Sequence, residues 1–290
     1  MTKVLITGAN SYIGCSFADY AMKHYAADFE IDTIDMKSDI WKGKSFAGYD
    51  CIFHVAGIAH ADVGNVSEEV KTQYYRVNTE LAIEVAEKAK AEHVKQFVLM
   101  SSMIVYGGLE HITKDTKPQP ANFYGDSKWQ ADKGVRALET ESFLVTVLRP
   151  PMIYGKGSKG NYPLLAKLAK KLPVFPKVNN KRSMLYIENL CEFLCIVMKG
   201  QLSGIYFPQN KELMNTSEMV AEIAKTSGHK LWVTSLLAPF VAIGKKMPGK
   251  MGVLCRKAFG SSYYEPEMSG VGFEYCKYDM PASIRLTEEG

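Results

Sequence analysis

None of the six cysteines in this 290-residue chain forms a Cys-x-x-Cys pair. Cys191 and Cys195 stand one helical turn apart with no histidine near them in sequence, so buried thiols on a helix are expected there and no metal site. The net charge is only +4, which gives no reason to expect a nucleic-acid partner. The longest apolar run, 231–244, is interrupted by Thr234, Ser235 and Pro239 and is too short to span a bilayer. Strand-like Val4-Leu5-Ile6 begins almost at once and leaves no room for a signal peptide. There is no repeat and no low-complexity tract. The Gly/Lys stretch 155–160 lacks the Gly-Lys-Ser/Thr ending of a phosphate-binding Walker loop. These absences favour a cytoplasmic chain with reduced thiols and no stable membrane insertion.

What is present is ordinary for a globular protein: 47% hydrophobic and 23% charged residues, enough to bury a sizeable core in one large domain or two smaller ones. Strand-like runs at Lys3–Thr7, Glu30–Asp35, Cys51–Val55, Gln96–Ser101 and Phe143–Leu148 alternate with helix-like segments at Tyr12–Ala26, about Ser67–Ala91 and Gly125–Thr140. That alternation predicts an α/β fold with a parallel sheet covered on both faces. After Arg149-Pro150-Pro151 the texture changes. Residues 1–150, rejoined by about 183–207, are expected to form one domain, and 151–182 with 208–290 a smaller substrate domain.

The segment Thr7-Gly8-Ala9-Asn10-Ser11-Tyr12-Ile13-Gly14 joins the first strand to the first helix. Glycine there lets backbone N–H groups approach a pyrophosphate at the helix N-terminus, where the macrodipole favours anions. Ser11 takes the place of the middle glycine of a Gly-x-x-Gly-x-x-Gly loop. Asp35 ends the second strand 21 residues after Gly14. A carboxylate there accepts hydrogen bonds from ribose hydroxyls and repels a 2′-phosphate, which predicts NAD rather than NADP, with Lys37 close enough to soften the preference.

Of sixteen tyrosines, only Tyr124 has a lysine four residues on, Lys128. Residues at i and i+4 share a helix face, so a phenol and an ammonium can act on one substrate. A tyrosine working near neutrality needs roughly 4 kcal/mol from its surroundings, which a neighbouring cation can supply in part. Ser101-Ser102 ends the strand after Gln96, where a parallel sheet presents residues to its ligand crevice. A hydroxyl and a phenol so placed suit proton exchange at a carbinol oxygen while hydride moves to nicotinamide.

Together with Asp39-Ile40, His54-Val55-Ala56-Gly57, Asn78, Val105-Tyr106-Gly107, Leu148-Arg149-Pro150 and Tyr154-Gly155, these motifs make the chain resemble the extended short-chain dehydrogenases/reductases. Within them it is similar to the NAD-dependent epimerase/dehydratase group typified by UDP-galactose 4-epimerase. The resemblance covers about the first 200 residues well and the C-terminal third loosely. It implies a Rossmann doubly wound sheet with a smaller, mostly helical C-terminal substrate domain, NAD as cofactor, a UDP-sugar as substrate and a homodimer, with Trp129 a candidate contact. It also implies a triad of Ser102, Tyr124 and Lys128, the first two touching substrate. The cofactor would meet Gly8, Asn10, Ser11, Tyr12, Ile13, Gly14, Asp35, Asp39, Ile40, Val55, Ala56, Gly57, Asn78, Ser101, Tyr124, Lys128 and Pro151. Arg182 resembles the arginine set against the substrate pyrophosphate. Met152 stands where such enzymes often carry an asparagine, a role left to Asn161.

Dehydratases of this group resemble Thr-Asp-Glu where the chain reads Ser102-Met103-Ile104, and neither Met103 nor Ile104 carries a proton. The expected reaction is therefore epimerisation at C4 of a UDP-sugar. The alternatives are net reduction of a 4-keto sugar nucleotide in surface-polysaccharide synthesis, and a regulator that binds NAD(P) without catalysis. Finally, Lys245, Lys246, Lys250, Arg256 and Lys257 follow the apolar run from Leu231. Such a pairing suits either a lid helix with a solvated basic face or a segment lying on an anionic membrane surface.

Overall fold

The structure, a computed structural model, describes residues 1–59 and 66–289. It divides into two compact units: Met1–Gly108 with Asp115–Pro151 and Ile187–Pro208, and Leu109–Lys114 with Met152–Tyr186 and Gln209–Gly290. Residues 183–186, expected with the first unit, lie in the second. Met184–Tyr186 pairs there with Met152–Tyr154 instead of joining the large sheet.

The first unit is built on six parallel strands: β1 (Thr2–Thr7), β2 (Phe29–Ile34), β3 (Cys51–His54), β4 (Gln96–Met100), β5 (Leu144–Leu148) and β6 (Gly204–Tyr206). Their spatial order is β2-β1-β3-β4-β5-β6. Every residue of β3 and β4 is buried, as in central strands covered on both faces, whereas edge strand β2 exposes Glu30, Asp32 and Thr33. Successive side chains point to opposite faces. On one, Phe17 of the first helix (Tyr12–His24) meets Phe29 and Phe53 edge-on. On the other, Val85 and Ala89 of helix Leu81–Ala91 and Val135 of helix Phe123–Arg136 join a cluster with Leu5, Ile52, Phe97 and Val145.

The long helix expected over about 67–91 is two α-helical segments, Glu68–Tyr75 and Leu81–Ala91, joined by a π turn at Arg76–Glu80 and capped by the Ser67 hydroxyl, which accepts from Val70 N. The chain leaves β1 toward β2 on one side and returns to β3 on the other. The crevice of this doubly wound sheet therefore opens at the carboxyl ends of β1 and β3.

The second unit carries helices Tyr162–Lys171, Thr216–Thr226, Ala238–Lys246, Gly249–Phe259 and Met280–Glu289 around short two-stranded parallel ladders. In its core Tyr154 stacks on Tyr162 and its hydroxyl bonds Ser283 at 2.6 Å. Among the described residues no helix is long and apolar enough to cross a membrane.

Candidate active site

Thr7 O, at the end of β1, accepts from both Val55 N and Ala56 N (3.1 and 2.9 Å), while Gly8 N and Ala9 N donate to Ile34 O at the end of β2. Three strand ends are thereby drawn together. Gly8 sits at φ +120°, and a Cβ there would lie 2.8 Å from Ala56 N, so only glycine fits. Asn10 takes a left-handed φ of 63° in the same turn. Ser11 earns its place by a different route from the glycine it replaces. It is the N-cap of the first helix, its hydroxyl accepting from Gly14 N at 3.2 Å. The amides of Tyr12 and Ile13 belong to the first helical turn, which has no intrahelical acceptors for them.

Asp35 follows β2 directly and is exposed, its carboxylate accepting from Lys37 N at 2.8 Å. Asp39 pairs with Lys42, and Ile40 beside it is 79% exposed, unusual for its type. Among the described residues, Tyr12 Oη and Ser101 Oγ are buried without hydrogen-bond partners. A tight glycine turn against a helix N-terminus, an exposed carboxylate acceptor after β2 and an open apolar side chain nearby are features a dinucleotide site uses.

Deeper in the crevice, a Cβ at Gly57 would stand 3.0 Å from both Asn78 Oδ1 and Lys128 Nζ. Asn78, buried in the π turn, accepts from Ile58 N and donates to Ile58 O and Ser127 Oγ. With those bonds it holds the Gly57 strand end to the Tyr124 helix and acts by positioning. Lys128 Nζ donates to Met100 O at 3.1 Å, and burial brings its pKa down to about 8. Burial likewise pushes Tyr124 up to about 12, with Tyr74 adding to the rise and a side-chain hydrogen bond with Ser102 opposing it. The phenol is therefore not lowered by Lys128 in the protein alone, contrary to the simplest reading of the i, i+4 pair. Desolvation sets the direction of the shift. His54, buried with Nδ1 2.8 Å from Thr7 Oγ1, is held neutral, its pKa lowered to about 3 by burial and by Lys128.

Sequence reasoning missed Asp132. It is fully buried two turns beyond Tyr124 and receives Arg149 Nε (2.8 Å), Arg149 Nη2 (3.1 Å) and Arg136 Nε (2.7 Å). Arg149 Nη1 also donates to Tyr106 Oη at 2.7 Å. This cluster ties the Tyr124 helix to the exit of β5 and to the turn after Ser102, giving the Val105-Tyr106-Gly107 and Leu148-Arg149-Pro150 motifs a mechanical role. Met103 N donates to Pro150 O beside the buried Pro151. Trp129 lies 5.3 Å from the Arg149 guanidinium and near Lys133 and Arg136, so its ring is engaged within the chain. An aspartate i+8 from the tyrosine carries no sequence signal of its own.

In the second unit Asn161 and Arg182 line one cleft, with Leu164, Leu254 and Lys257. Asn161 precedes helix Tyr162–Lys171 without capping it through its side chain, and Arg182 Nη1 donates to Lys257 O and Gly260 O at the end of helix Gly249–Phe259. Half of the guanidinium fork thus closes a helix C-terminus. Cys191 and Cys195 are buried thiols, both raised by burial.

The model of the NAD dependent epimerase/dehydratase family matches residues 4–206. The chain belongs to that family. NAD is accordingly its cofactor. Relatives include an N-acetyl-alpha-D-glucosaminyl-diphospho-ditrans,octacis-undecaprenol 4-epimerase of Escherichia coli O157:H7, 29% identical over 83% of this chain and 77% of its own. A UDP-glucose 4-epimerase of Vibrio cholerae is 28% identical over 79% of this chain and 77% of its own. The fold matches the UDP-glucuronic acid 4-epimerase of Bacillus cereus in complex with NAD, with a TM-score of 0.74 at 14% identity, covering 99% of this chain and 96% of that one. The chain is thus an α/β member of a family of sugar epimerases, dehydratases and reductases.

Proposed function

We propose that this enzyme interconverts C4 epimers of a sugar carried on a diphosphate, with UDP-sugars as the soluble substrates. The carrying observation is Tyr124 and Lys128 one turn apart on one helix, with Ser102, at the carboxyl end of β4, near enough to oppose the rise of the phenol's pKa. Both sequence relatives are named as 4-epimerases of sugars joined to a diphosphate, which supports the reading.

In this reading Ser102 Oγ orients the C4 oxygen and Tyr124 Oη takes the proton from it, returning it to the opposite epimer. NAD, when bound, accepts and returns the hydride. Gly8, Ser11 to Gly14, Asp35, Asp39, Ile40 and the Val55–Gly57 strand end would hold it, with Asn78, Ser101 and Pro151 shaping the pocket. Bringing the phenol from about 12 to neutrality takes roughly 7 kcal/mol. Lys128 contributes part once substrate displaces water, since below about pH 8 it is a cation beside the same crevice. Arg182 and Asn161, lining one cleft of the second unit, offer a charged and an amide donor of the kind a diphosphate takes. Met103 and Ile104, in the turn after Ser102, offer no acid for a dehydratase.

The test is incubation with UDP-glucose, UDP-N-acetylglucosamine and a UDP-4-keto-6-deoxy sugar, with product analysis and an NADH readout. Epimerised products without net NADH change are expected. Stoichiometric NADH loss with the keto sugar alone would instead make the enzyme a 4-ketoreductase. Tight NAD binding without any turnover would make it a regulator.

A further inference from the structure

Residues 223–264 contain seven lysines and arginines and no aspartate or glutamate, leaving the rest of the chain with a net charge of −3. All of the chain's excess positive charge therefore lies in one stretch of the second unit. The same stretch holds the largest concentration of exposed apolar side chains among the described residues. Leu236, Phe240, Ile243 and Met247 are 72, 69, 62 and 45% exposed; Phe240 and Ile243, three residues apart, share a face of helix Ala238–Lys246, with Leu236 in the 3-10 turn before it and Met247 at its C-cap. Val253 and Leu254 on the next helix are also open, at 43 and 48%.

The two helices form a hairpin. Gly244 packs on Cys255, and Arg256 Nη1 donates to Lys245 O at 2.6 Å. Lys246, Arg256 and Lys257 are exposed along it. An apolar stripe edged by cations, on helices too short to span, is the pattern of a segment that lies in a membrane interface. The complementary partner is an anionic headgroup layer, to which each nearby cation is drawn. A lid with a solvated basic face accounts for the lysines but leaves Leu236, Phe240 and Ile243 facing water.

We infer that the hairpin 235–259 docks on an anionic lipid bilayer. Leu254 and Lys257 of this hairpin also line the cleft that contains Asn161 and Arg182, so the docking surface runs into that cleft. A sugar diphosphate anchored in the bilayer by a lipid would reach the cleft directly from the docked surface. This substrate assignment rests on the epimerase reading above; the docking does not.

The experiment is flotation of the full chain with vesicles of equal parts phosphatidylcholine and phosphatidylglycerol, and with phosphatidylcholine alone. The chain is expected to float with the anionic vesicles and to be released by high salt. The Phe240→Glu/Ile243→Glu variant, altered at two exposed positions, should lose at least about tenfold in partitioning. It should keep its turnover of soluble UDP-N-acetylglucosamine, which shows that it folds, and lose turnover of a lipid-linked N-acetylglucosamine diphosphate presented in the vesicles. Tyr124→Phe should float like the parent. Recovery of an active parent chain in the lipid-free fraction at low salt overturns the docking, as does flotation unchanged by the double substitution. A parent dimer that the double substitution turns into monomer, without lipid binding, assigns the face to a second copy and overturns it equally. A chain that floats but turns over neither substrate sustains the docking and overturns the epimerase reading.

Discussion

Removing the Asp132 carboxylate is expected to strand a cation in the core beside the reaction centre. Arg149 is 3% exposed and spends Nε and Nη2 on Asp132, while Arg136, with a third of its side chain open, turns to water when the carboxylate is lost. Breaking one side of a buried pair typically costs about 3–5 kcal/mol, because the survivor keeps its desolvation penalty without its partner. Asp132→Ala should therefore lower stability by about that amount in urea unfolding followed by tryptophan fluorescence, with Trp129 against Arg149 as a local reporter. Replacing both members, Asp132→Leu with Arg149→Met, removes the uncompensated charge and should recover most of the loss. Turnover should fall in both variants, since the Tyr124 helix loses its tie to Tyr106 and the β5 exit. A single Asp132→Ala cost below about 1 kcal/mol, or a double variant whose losses simply add, would refute the account.

Tyr124→Phe should keep NAD binding and lose turnover by orders of magnitude in a coupled assay; a near-normal rate removes Tyr124 from the proton path. Gly8→Ala forces a Cβ to 2.8 Å from Ala56 N at φ +120°, so NAD titration should show binding lost and the melting temperature should drop. Asp35→Ala should narrow the preference for NADH over NADPH in nicotinamide fluorescence titrations, and an unchanged ratio places the selectivity elsewhere. Lys128 has a folded pKa of about 8 against an ordinary 10.5, so between those values the unfolded chain binds more protons. The stability of the parent relative to Lys128→Met should accordingly rise with pH across that window, and a flat difference would contradict the burial of the ammonium.

The parallel sheet was legible because its signals are local. Short apolar runs such as Phe97-Val98-Leu99 bury on both faces wherever they lie, and helical periodicity put Val85 and Ala89 on one face before any partner was known. The Tyr124–Lys128 pair and the Gly8 turn are equally local, fixed by helix geometry and by the φ a tight turn demands. Tertiary structure alone decided what needed a distant partner. It set the strand order that puts the crevice at β1 and β3, and moved Met184–Tyr186 out of the large sheet to pair with Met152–Tyr154. It also set the protonation of the reaction centre. The i, i+4 spacing placed a cation near Tyr124, but burial pushes the phenol up to about 12, and Tyr74, distant in sequence and packed edge-on against its ring, adds to the rise. Asp132 shows the same division. Its charge is visible in the sequence, but whether that charge meets water or Arg149 is settled only when the helix packs against the end of β5.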